Sequence, residues 1–208
     1  MSKRHARRLA VAPAAAVAAL AMTASAAAAA TWTVRPGGTI SLTGSRFNVT
    51  DTATATTIPC LSSSLGGTLK SGRGHSGTGI GSITTASIRH CGGLLGMFIL
   101  TPGDLPWHLN LTSYSAAAHT VTGSISHLHV DLSAGGCSVA VDGTGATASD
   151  GFVTFTYTNP TAKLKTLTTG GNLHIYIVRG CAGLFRNHDP ATLSATFAVS
   201  QKQSITSP

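Results

Sequence analysis

Four cysteines and one histidine-bearing stretch are the residues of this 208-residue chain whose types and spacing could do chemistry. Cys60, Cys91, Cys137 and Cys181 form no C-x-x-C pair, so a zinc site is a poor reading and disulfides are the simpler one. Two stretches around them say nearly the same thing. Ile88-Arg89-His90-Cys91-Gly92-Gly93-Leu94-Leu95 and Val178-Arg179-Gly180-Cys181-Ala182-Gly183-Leu184-Phe185 both read aliphatic, Arg, any, Cys, small, Gly, Leu, large apolar. Each follows one further cysteine, so of the three possible pairings the repeat favours Cys60 with Cys91 and Cys137 with Cys181. Arg89 and Arg179 lie two residues before their cysteines and on a strand would share the cysteine's face. There they could meet a partner's carboxylate, although a packing role is the simpler expectation.

His127, His129 and Asp131 alternate with Leu128, Val130 and Leu132, so an ideal strand would project both imidazoles and the carboxylate from one face. That is a partial metal site, with His119 or His174 as a conceivable further ligand. The matching positions of an earlier segment, Arg46, Asn48 and Thr50, keep the polarity without the ligands. A solvent-facing polar edge is therefore the plainer expectation, and no metal or cofactor is required.

Other patterns carry less. Gly72 to Gly77 satisfies G-x-G-x-x-G as a string, but the strand and helix that a dinucleotide site needs are not evident around it. Ser76, His119 and an aspartate could form a triad only by tertiary accident. The chain has no glutamate, and Asp104, Asp142 and Asp150 sit in turn contexts, so paired-carboxylate hydrolysis is a poor fit and no catalytic residue is assigned. Trp107, after Pro102-Gly103-Asp104-Leu105-Pro106, is the one aromatic in a loop-edge context that could form a binding platform.

These residues must be positioned by strands. Short alternating segments separated by Gly, Pro, Asn and Asp predict strands near 39–43, 46–50, 53–58, 80–88, 97–101, 108–114, 120–132, 138–141, 152–158, 173–178 and 192–200. This implies an all-β, antiparallel sandwich or barrel with two disulfides. Ser45–Thr50 matches Ser126–Asp131 in its apolar positions, so residues 31–208 read as one domain of two pseudo-repeats, about 31–115 and 116–208. The glycine-rich segment Ser71–Gly81 reads as a loop.

Residues 1–30 have the layout of a cleaved secretory leader: Lys3, Arg4, Arg7 and Arg8, an apolar run, then an alanine-rich end with Ala24-Ser25-Ala26. Four of the 14 Lys and Arg residues lie in it, leaving ten against six aspartates, a net charge of +4 beyond the leader. The ten are scattered, which argues against nucleic acid, while loose attraction to an anionic envelope polymer fits the charge. No transmembrane anchor is expected beyond the leader.

Leader, Thr/Gly/Ala-rich strands and spaced cysteines together resemble small exported all-β proteins of unknown function from high-GC Gram-positive bacteria. The resemblance implies export and a β fold. The expected function is thus a secreted, non-catalytic, disulfide-stabilised binding module whose partner is an envelope polymer or another protein. The competing expectation is an exported hydrolase or metal-dependent enzyme built on the His127/His129/Asp131 strand.

Overall fold

The computed structural model describes residues 31–208, and the leader lies outside them. Fifteen strands follow one another: β1 (Thr31–Arg35), β2 (Gly38–Gly44), β3 (Phe47–Asp51), β4 (Thr57–Leu69), β5 (Gly72–Ser76), β6 (Gly81–Gly93), β7 (Gly96–Gly103), β8 (Trp107–Ser115), β9 (Thr120–Ala134), β10 (Cys137–Asp142), β11 (Gly151–Thr158), β12 (Lys163–Thr166), β13 (His174–Arg179), β14 (Ala191–Ser200) and β15 (Ser204–Thr206). No helix occurs among the described residues.

Antiparallel pairing closes β2, β4, β6, β8, β9, β11, β12 and β14 into an eight-stranded barrel. The longest strands run on into a second ring, in which β3 joins β4 and β14, β7 joins β6 and β9, and β10 joins β9 and β13. Backbone hydrogen bonds from Ile175 to Asp189 and from Ala191 to Leu173 bring β13 back to the start of β14. Thus β4, β6, β9 and β14 serve both rings, and their ladder groups are satisfied along their length.

The interior of the first ring is filled. Leu42, Leu65, Val121, Phe155 and Phe197 are buried there, leaving an apolar cavity of about 30 Å³. Phe155 stands opposite Gly123 in register, and a Cβ at Gly123 would lie 2.6 Å from the ring, so glycine is needed to admit it. A small sheet of β15, β1 and β5 lies at one end, where Gln203 and Ile205 line the cavity.

The barrel alternative is the one adopted, and both disulfides pair as the repeated motif implied: Cys60–Cys91 joins β4 to β6, and Cys137–Cys181 joins the start of β10 to the chain just after β13. Several local expectations fail for identifiable reasons. Residues 53–58 do not form a separate strand, because the Asp51 carboxylate accepts the Ala53 and Thr54 N–H groups and turns the chain, and Ala55 is left-handed with φ 58°. Gly66-Gly67, a pair that commonly marks a turn, lies inside β4, where Cβ atoms would meet Thr85 and Ser82. Ser71–Gly81 is not simply a loop, since β5 pairs with β1. β12 and β15 are too short to show a period of their own.

Each disulfide closes a loop of 31 or 44 residues, for which the chain-entropy account expects roughly 4 kcal/mol. Replacing Cys137 and Cys181 together with serine is expected to lower the unfolding free energy by up to about that amount. Denaturant titration checks this, with non-reducing peptide mapping to show Cys60–Cys91 still joined.

Candidate functional site

The histidine strand is where local pattern and tertiary structure part. In β9 the inward residues are Val121, Gly123 and Ile125, then Leu128, Val130 and Leu132, so the parity changes between them. The cause is a β-bulge: Gly151 pairs with Leu128 and Phe152 with Ser126, leaving His127 unpaired at φ 62°. His127 therefore leaves the face predicted for it and stacks on His108, ring centroids 4.5 Å apart. His129 and Asp131 remain on one face, and a different carboxylate, Asp142, completes the group.

Asp142 is fully buried at the end of β10 and is heavily solvated by the protein itself. It accepts N–H groups from Gly143 at 2.6 Å, Ser149 at 2.9 Å, Asp150 at 3.2 Å and Gly151 at 3.2 Å, and the His129 Nδ1 at 2.9 Å. The His129 Nε2 lies 3.4 Å from Asp131 Oδ2. His129 lies across Gly103, where a Cβ would sit 2.6 Å from the imidazole Cδ2. Ser149 Oγ donates to Asp104, so the same knot ties the β7–β8 and β10–β11 loops together.

Burial opposes charge on His129, but the hydrogen bond to Asp142 and the charges of Asp131 and Asp142 outweigh it and raise its pKa. Burial likewise opposes ionisation of Asp142, and the hydrogen bonds from His129, Gly143 and Ser149 outweigh it and lower its pKa. Chemically this is an imidazole clasped between two carboxylates, which favour its protonated form. Among the described residues no group of three or more His, Cys, Asp or Glu side chains has the geometry to hold a metal ion.

The remaining sequence candidates are dispersed. Trp107 is not a platform: it is buried, and its Nε1 donates to the Gly103 carbonyl at 3.0 Å. Arg89 and Arg179 do not share the buried side of Cys91 and Cys181. Both are exposed, because the residues between, His90 at φ 56° and Gly180 at φ 63°, are left-handed and rotate the arginines outward. Arg89 Nε donates to Ser87 Oγ. Ser76 pairs with Thr31 at one end of β1, while His119 lines a groove with Arg35 at the other end, about 13 Å along the strand. They form no triad.

A feature the sequence reading missed is an exposed aliphatic face. Met97 and Ile99 point outward from β7 while Phe98 and Leu100 point inward, and Leu61 stands on β4 beside the Cys60–Cys91 pair. Leu94 caps the β6–β7 turn and is 84% exposed. Four of the five large exposed apolar side chains among the described residues thus lie at this end of β4 and β7 and the turn between β6 and β7, with His90 of β6 in register between Leu61 and Ile99. The signal was the unbroken apolar run Met97-Phe98-Ile99-Leu100, since an apolar residue at every position makes both faces of a strand apolar.

The clasp has a defined pH window. The raised His129 pKa contributes stability that is fully present below the ordinary 6.5 and is lost as pH rises through the folded value. The lowered Asp142 pKa contributes stability that is present above the ordinary 3.8 and is lost as pH falls through its folded value. The protein is therefore expected to gain most from the clasp between those limits. In thermal melts across pH, His129→Gln should flatten the upper limb of the profile, and an unchanged upper limb would show that the clasp contributes nothing.

Among the described residues no helix is long and apolar enough to cross a membrane. No curated protein and no solved structure matches the chain. One family does, over residues 6–207, nearly the whole sequence. The chain belongs to that family, described as alkane oxidation protein activator PraA/PraB-like.

Proposed function

We propose that this protein is an exported, non-catalytic helper of alkane oxidation that acts by binding, and that the aliphatic face of β4, β6 and β7 is where it meets apolar material. The observation that carries the reading is the exposure of Leu61 on β4, Leu94 in the β6–β7 turn and Met97 and Ile99 on β7, beside the Cys60–Cys91 bond that ties β4 to β6. Covering a Leu, Ile or Met side chain is worth roughly 1.5–3 kcal/mol, so four of them suffice for reversible adsorption to a hydrocarbon phase. The family description supplies the alkane, and the exposed aliphatic side chains supply an apolar surface that could meet it.

Export is supported by the leader pattern in residues 1–30, by two disulfides, and by the resemblance to small exported proteins of high-GC Gram-positive bacteria. The same proposal includes a duplication into two pseudo-repeats, about 31–115 and 116–208. It is supported by the equivalence of the motifs, since each cysteine follows a left-handed residue and bonds to a cysteine of a neighbouring strand or its flank. The rival enzyme reading would need a site other than the His127/His129/Asp131 row, because the bulge turns His127 away from His129 and Asp131.

The double variant Met97→Lys/Ile99→Lys is expected to fold with both disulfides intact, because both side chains are exposed. Its partition to a dodecane–water interface should fall about tenfold or more, and its stimulation of alkane oxidation should fall with it. Unchanged partition would overturn the assignment of this face.

A further inference from the structure

At the other end of the molecule, a groove of about 500 Å³ opens beside the small sheet. Arg35, His119 and Lys202 line it together with Tyr114, Ser204 and Thr206. We propose that this groove binds an acidic saccharide, a sugar unit bearing a carboxylate or phosphate. Three observations carry the inference.

The first is charge. The groove gathers two permanent cations and an imidazole, and none of its lining residues is acidic. The ion pairs among the described residues involve only His129, with Asp131 and Asp142, so the Arg35 guanidinium and the Lys202 ammonium have no carboxylate within 4.0 Å. An arginine fork matches the two oxygens of a carboxylate or phosphate, and lysine adds a point charge.

The second is preorganisation. The segment that carries Lys202 and Ser204 is held from three sides. Tyr157 Oη accepts the Gln203 N–H at 3.0 Å and donates to the Gln203 carbonyl at 2.9 Å. Asn159 does the same for Ile205, accepting its N–H at 2.9 Å and donating to its carbonyl at 2.8 Å. The buried Gln203 side chain accepts the Gly37 N–H and donates to the Gln201 carbonyl, each at 2.8 Å. Ser204 pairs with Arg35 in register, and the Asn159 N–H fixes the His119 turn by donating to the His119 carbonyl. A ligand therefore finds the backbone that carries the cations already fixed, which lowers part of the entropic cost of binding.

The third is the mix of donors. Around the cations stand the hydroxyls of Tyr114, Ser204 and Thr206, which suit the hydroxyl groups of a sugar. The groove also lies within the size range of small-ligand sites. It belongs to the closed end of the first ring, whereas the aliphatic face belongs to the second, so the two surfaces can act independently.

The test is calorimetric titration of the disulfide-bonded protein with oligogalacturonate, its neutral methyl ester, glucose 6-phosphate and inorganic phosphate. Binding of oligogalacturonate or glucose 6-phosphate is expected, the stronger of the two identifying the anionic group as carboxylate or phosphate. Arg35→Gln/Lys202→Gln should weaken it about tenfold or more, while thermal melts confirm that the variant is folded. Met97→Lys/Ile99→Lys should bind the saccharide as the parent does, which separates this site from the aliphatic face. Equal binding of the methyl ester, equal binding of inorganic phosphate, or an undiminished double variant would each overturn the proposal.

Discussion

Everything in this molecule depends on four strands that must satisfy two sets of neighbours at once. β4, β6, β9 and β14 donate and accept along their length, first to β2, β8, β11 and β12, then to β3, β7, β10 and β13. An unpaired buried backbone group costs on the order of 1–3 kcal/mol, so a shift of one strand would be felt around both rings. With charged residues only 10% of the chain and two ion pairs among the described residues, both formed by His129, the fold rests on this ladder, apolar burial and two covalent ties.

Changing neighbours partway along a strand requires local irregularity, and the irregularities have chemical consequences. The bulge at His127 keeps Ile125 and Leu128 both inward, turns His127 out onto His108, and leaves His129 to meet Asp142. Left-handed residues at His90 and Gly180 orient the two repeated motifs so that each cysteine is buried while its arginine faces water. The clasp then joins the loops that follow β7 and β10, which leave those strands at the same end on either side of β9.

A barrel filled by its own side chains, with about 30 Å³ to spare, leaves its outer surfaces as the places open to other molecules. The aliphatic face and the basic groove divide that surface by chemistry. One is apolar and pinned by a disulfide; the other is cationic and held by side-chain clamps on the backbone of β15 and its approach. The two surfaces thus differ in chemistry and lie on different rings, so each can be altered without the other.

The sequence alone determined what depends on local composition and repetition. Alternation and turn residues gave most strands, and duplicated spacing around Cys91 and Cys181 gave the disulfide pairing, because both are recorded in neighbouring residues. It also matched Phe47 and Val49 with Leu128 and Val130, and all four are buried. Tertiary structure alone decided the barrel closure, the short strands β12 and β15, and the candidate sites. His129 and Asp142 are 13 residues apart, and Arg35 and Lys202 stand at nearly opposite ends of the described chain. Their meeting follows from ladder register, and register at the decisive point is set by one bulged histidine whose positive φ no hydrophobic period announces.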